Sequence, residues 1–160
     1  MPETPVPSPS LWNHSHLGHW LRLALQRFDT RVMELMAHHP GVPLGLANLA
    51  ARGQVGAAHI HITRHLPPNG LRLTDLAQRA GMSKQAMGAL VNQCEAWGMV
   101  TRERDPTDAR ARRVQFTATG LAWLGAYQDA AAQTGAEMQS AVGTEVATVI
   151  AIGLEAYCGQ

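Results

Sequence analysis

The 160-residue chain is short of cysteine, of net charge and of long apolar runs, and each shortage excludes a class of protein. Two cysteines, Cys94 and Cys158, are too few for a disulfide scaffold and lack the paired spacing of a zinc finger, so both are expected to be reduced thiols. No stretch approaches the ~20 apolar residues a membrane helix needs. The longest, Val146 to Leu154, is broken by Thr148 and Gly153, and a soluble chain with no membrane partner is expected. The segment 1–10 has prolines at 2, 5, 7 and 9 and neither a basic nor an apolar signal region, which reads as a disordered lead-in to a cytoplasmic protein. Glycine-rich phosphate loops, nucleophile elbows, HExxH pairs and close carboxylate pairs are lacking too, so neither catalysis nor a cofactor is expected. What is present is apolar residue, 46% of the chain, enough for one domain with a real core.

The net charge of +1 gives no general attraction to a polyanion, but the charge is unevenly placed. Between Arg72 and Arg113 stand eight basic residues (Arg72, Arg79, Lys84, Arg102, Arg104, Arg110, Arg112, Arg113) against five acidic ones, a local excess of 8 − 5 = +3. That stretch also carries the most structured pattern in the chain. Leu71-Arg72-Leu73 alternates like a very short strand, and Thr74 stands where a hydroxyl can cap a helix. Leu76, Ala77 and Ala80 form the buried face of that helix, and Gly81 suits the left-handed residue after its end. Ser83 is a second N-cap. Met87, Leu90, Val91, Cys94 and Trp97 then recur at helical spacing, predicting a second helix over roughly 84 to 97. Cys94 continues this buried stripe with no basic neighbour within a turn, so it reads as a core thiol rather than an oxidation switch.

The opposite face of the second helix presents Lys84, Gln85, Gly88, Ala89 and Asn92, of which Gln85 and Asn92 can read base edges. Gly88, costly in a helix interior, has either close approach to DNA or helix packing as its reason. Met99–Arg104 and Arg112–Thr117 predict a hairpin with Val100, Val114 and Phe116 inward, joined by a loop from Asp105 to Arg112. A protruding loop would carry Arg110 where a guanidinium can enter a minor groove, with Asp108 placed to orient it. Strand, helix, turn, helix and hairpin in this order make a winged helix-turn-helix, and its expected partner is double-stranded DNA.

These residues resemble the multiple-antibiotic-resistance regulator (MarR) family, through Leu73-Thr-Asp-Leu-Ala77, Gly81-Met-Ser-Lys-Gln-Ala-Met87, Leu90-Val91, Glu95-Ala-Trp-Gly-Met-Val100 and Asp105-Pro-Thr-Asp-Ala-Arg110. The resemblance covers about 50 residues. It implies a homodimer that holds two winged motifs on a pseudo-palindromic operator and represses transcription until a ligand binds. It implies that Arg110 is the minor-groove residue, that Asp108 braces the wing, and that Ser83, Lys84, Gln85, Gly88, Ala89 and Asn92 form the recognition surface. Arg112 is added as a DNA contact, with Arg79, Arg102 and Arg113 able to serve the backbone. The chain departs from the family at Ala86, Gly88 and Ala89, where threonine, a small hydroxyl residue and arginine are common. Fewer contacts to DNA are then available, which keeps open a winged module that binds a protein instead.

The flanks carry more apolar helix than such a motif needs. Leu17, Trp20, Leu21, Ala24, Phe28, Val32, Leu35 and Met36 form one stripe; Leu121, Leu124 and Tyr127 begin another helix; Val142, Val146, Val149, Ile150, Leu154 and Tyr157 line a third. The expected organisation is mainly α with a small β-hairpin wing. A single domain over 11–160 would comprise dimerisation helices at 11–54 and 119–160 and a winged DNA-binding lobe at 55–118. A cleft between the two parts could take a small aromatic or anionic effector against Trp20 and His59. Eight histidines, among them His14, His16 and His19 and then His59, His61 and His65, raise a zinc-responsive regulator as an alternative. No Cys or carboxylate neighbours His61 and His65 in sequence, and no metal ligand is assigned.

Overall fold

The computed structural model describes residues 16–159, so the proline-rich segment 1–10 and His14 lie outside the described residues. The described chain is seven helices and one three-stranded sheet. Helix α1 (Leu17–Ala37) is followed by α2 (Leu44–Ala51) and α3 (Ala57–His65). Next come strand β1 (Leu71–Arg72), helices α4 (Leu73–Arg79) and α5 (Lys84–Ala96), and strands β2 (Val100–Asp105) and β3 (Asp108–Phe116). Helices α6 (Ala118–Val142) and α7 (Thr144–Cys158) complete the chain. The antiparallel sheet has the order β1-β3-β2, with Leu71 opposite Val114 and Val100 opposite Phe116.

Local chemistry explains most element ends. Ser83 caps α5, its hydroxyl accepting from the Ala86 amide at 3.1 Å, and Thr117 does the same for α6 through the Gly120 amide. Gly81, at φ +63°, ends the turn after α4, and the Met82 amide donates back to the Ala77 carbonyl. Thr74 is not the cap expected of it. The N-cap of α4 lies two residues earlier, at extended Arg72, with no side-chain cap bond. Arg72 is held there by its pairing with Arg113 across the sheet and by an ion pair with Asp105, while Leu73 packs on the core.

One continuous apolar cluster runs from Val32 and Met36 on α1 through Ile62, Leu76, Met87, Val91 and Cys94 to Trp123 and Ala126 on α6. Met87, Val91 and Cys94 are fully buried as the helical spacing requires, with Leu90 and Trp97 at their edge. On α6 the fully buried stripe is Trp123, Ala126, Ala130 and Thr134; of the residues expected there, Leu124 and Tyr127 are half-buried against the core and Leu121 is 47% exposed. Gly120 lets this helix sit on the sheet: a Cβ there would lie 1.9 Å from the Met99 carbonyl oxygen. Val142 ends α6 rather than lining α7, and α7 buries none of its residues.

Candidate nucleic-acid interface

Lys84, Gln85 and Ala89 are exposed on α5, and half-buried Gly88 faces α4 with room for a methyl group, the nearest atom to an added Cβ being Leu73 Cδ2 at 3.9 Å. Helix packing is therefore not what requires glycine at 88. Ser83 and Asn92 are also exposed, but both are engaged: Ser83 as a cap, and Asn92 with its Oδ1 accepting from Arg102 Nη2 at 2.5 Å. Arg102 also pairs with Glu95, which joins β2 to α5.

The wing differs from the expected hairpin. The strands run up to a two-residue turn, Pro106-Thr107, so Arg110 lies within β3 and not on a loop tip. Arg104 opposes Arg112, whereas the next residue, Asp105, opposes Asp108. One step on β2 thus matches 112 − 108 = 4 steps on β3, and Ala109, Arg110 and Ala111 bulge from the ladder. The bulge, rather than the turn, projects the exposed Arg110. Asp108 braces it by accepting from the Arg110 backbone amide at 3.0 Å, so it shapes the chain around Arg110 without holding the guanidinium.

Beneath the bulge, Asp105, whose residue type suits the turn, is also an anchor for Arg72, a tie that local sequence does not show. It is 6% exposed and accepts from Arg72 Nε at 2.7 Å, from the Thr107 amide at 2.8 Å and from the Thr107 hydroxyl at 2.6 Å. The Arg72 guanidinium, then the Thr107 donors, hold the Asp105 carboxyl well below the usual carboxylate range. Aspartate before Pro-Thr is the signal for this turn, because its side chain can bond the amide two residues on.

Of the eight basic residues in the winged segment, three are engaged internally: Arg72 with Asp105, Arg102 with Glu95 and Asn92, and Arg113 with the Asn69 and Gly70 carbonyls. Backbone duty for Arg102 and Arg113 is corrected accordingly. The remaining 8 − 3 = 5, Arg79, Lys84, Arg104, Arg110 and Arg112, are exposed and make no ion pair among the described residues.

Trp20 and His59 do not form the expected pocket. Trp20 is 57% exposed and packs edge-on to His19, whereas His59 is a joint inside the lobe. His59 Nδ1 accepts from the Gly56 amide at 3.1 Å, its Nε2 meets Gln93 Oε1 at 2.8 Å, and its ring lies against Trp97. Neither residue lines the groove of about 770 Å³ between α1 and α2, whose walls include Arg22, Leu25, Met33 and Val55. His61 and His65 stack with centroids 6.0 Å apart. Burial, then the neighbouring His61, Arg64 and Arg79, hold His65 below its ordinary pKa. Among the described residues no three metal-ligating side chains come together, and the arginines beside this pair oppose a dication.

Residues 60–111 match the model of the MarR family. No curated protein matches the chain. In fold it is similar to a transcriptional repressor, CouR, solved bound to a 23-mer DNA duplex, at a TM-score of 0.69 and 19% identity over 98% of this chain and 100% of that one. It is also similar to apo MarR from E. coli, at a TM-score of 0.65 and 17% identity over 88% and 96% of the two chains. A third likeness is to the PcaV transcriptional regulator from Streptomyces coelicolor, solved with its natural ligand, at 0.62 and 15% over 98% of each. The MarR family model thus matches the winged helix-turn-helix segment, and the chain as a whole shares the fold of these solved structures.

Proposed function

We propose that the protein is a DNA-binding transcription regulator, a homodimeric repressor of a pseudo-palindromic operator whose binding is relieved by a small aromatic or anionic effector. The observation that carries this reading is the bulged wing, which projects Arg110 from β3 and leaves it, like Arg112, exposed and without an ion pair among the described residues. Lys84, Gln85, Gly88, Ala89 and Asn92 enter a major groove, Ser83 sits at the helix start nearest the backbone, and Arg110 enters the adjacent minor groove.

The dimer reading rests on uncovered apolar helix. Val146, Val149, Ile152 and Tyr157 on α7 are 52%, 69%, 60% and 86% exposed, and Leu17 and Trp20 on α1 are 73% and 57% exposed. A second copy would cover these faces and hold two recognition helices about 34 Å apart on DNA. On this reading 11–54 and 119–160 are the dimerisation parts and 55–118 is the DNA-binding lobe. The α1–α2 groove, apolar at Leu25, Met33 and Val55 and carrying Asp29 and Glu34 as well as Arg22, suits an aromatic effector better than an anionic one.

Selection from a random duplex pool, wild type beside Arg110→Ala, tests the proposal. Enrichment of an inverted repeat by wild type and its loss in the variant is the expected result, with log affinity falling by about 0.9 per neutralised phosphate per decade of salt. A protein-binding winged module is the second reading, favoured by the small residues Ala86, Gly88 and Ala89 and by the engagement of Asn92 with Arg102. No enrichment by wild type, with a stoichiometric protein partner recovered, would select it.

A further inference from the structure

Asn92 lies on the exposed face of α5, and its amide is not free to turn. A side-chain amide offers an oxygen acceptor and two nitrogen donors, and recognition of adenine in the major groove uses both at once. Here Oδ1 is drawn toward β2 by Arg102 Nη2 at 2.5 Å. Arg102 is itself held by Glu95, three residues beyond Asn92 on the same helix, through Nη1. Flipping the amide would set its N–H groups against the guanidinium N–H groups, donor against donor, so the orientation is decided by hydrogen-bond chemistry.

We propose that Arg102 is a specificity-determining positioning residue, which holds the Asn92 amide with its nitrogen outward. Asn92 then reads an acceptor, guanine N7/O6 or thymine O4, in place of the adenine edge that a free asparagine selects. The inference rests on the DNA-binding reading above and deepens it.

The test is selection from a random duplex pool with wild type, Asn92→Ala, Arg102→Met and Arg102→Lys, each checked for folding by thermal melting. Wild type is expected to prefer guanine or thymine at one position of each half-site, with that preference absent in Asn92→Ala. Arg102→Met is expected to move that position alone toward adenine, by at least about fivefold. Arg102→Lys, which can still donate to Oδ1, is expected to keep the wild-type base. A uniform loss of affinity in Arg102→Met with an unchanged motif overturns the proposal. So does a wild-type motif retained by Asn92→Ala, an exposed site that keeps the test open if Arg102→Met does not fold. Failure of wild type to enrich any sequence removes the DNA-binding reading itself, and the two failures are therefore distinct.

Discussion

The indole N–H of Trp123 donates to the hydroxyl of Thr63 at 3.1 Å inside the core, tying α6 to α3. Trp123 is 1% exposed, so truncation removes both a large apolar volume and the partner of a buried hydroxyl. Trp123→Ala is expected to cost about 3–5 kcal/mol. Thr63→Val, which leaves the indole N–H buried and unpaired, is expected to cost about 1–3 kcal/mol. Urea unfolding of the two single variants and the double variant should show a double-variant cost below the sum of the singles.

Two glycines of α6 should respond oppositely to alanine. At Gly120 the new Cβ would meet the Met99 carbonyl oxygen at 1.9 Å, a backbone atom that cannot move without shifting the sheet. Gly120→Ala is expected to abolish cooperative thermal unfolding. At Gly125 nothing lies within 4 Å, and Gly125→Ala should be neutral or stabilising by up to about 1 kcal/mol through helix propensity.

Acid sensitivity follows from two carboxylates held by arginines. Glu137 accepts from Arg31 Nε and Nη2 at 2.8 and 2.9 Å, joining α6 to α1, and its carboxyl is lowered from 4.5 to about 2, chiefly by Arg31 and then by Gln133. Asp105 is lowered in the same direction by Arg72 and Thr107. A depressed folded-state pKa adds stability that is present above the unfolded value and lost as pH falls through the folded one. The melting temperature should therefore drop as pH is lowered from about 4.5 toward 2. Glu137→Gln and Asp105→Asn should each melt lower at pH 7 and show a flatter acid limb.

The two thiols should differ in reactivity. Burial pushes the Cys94 thiol up to about 12, while Cys158 is exposed at the end of α7. A native thiol titration of Cys158→Ser at neutral pH should read no fast-reacting group, and unfolding should release one. Rapid labelling of Cys94 in the folded variant would contradict the buried stripe of α5.

The interface was legible where chemistry is local. Ser83 caps the helix it was expected to cap, Gly81 takes the left-handed conformation, and Met87, Val91 and Cys94 are buried at their helical spacing. It was not legible where two distant segments meet. Asn92 looks like a free base reader until Arg102, ten residues on, is brought across from β2. Arg72 looks like a surface cation until Asp105, 33 residues away, claims it and moves the start of α4. Leu121 looks like core because it is large and apolar, yet the fully buried face of α6 belongs to Trp123, Ala126 and Ala130.

Sequence alone determined the order of helices and strands in the winged segment, the buried stripe of α5 and the concentration of positive charge, because propensity, capping and periodicity act within a few residues of chain. Tertiary structure alone decided which of those charges face outward, that Arg110 projects from a strand bulge, and that Asn92 turns its oxygen inward. Those outcomes depend on pairing across the sheet and on side chains brought together from separate segments, and such encounters leave no periodic trace in a single sequence.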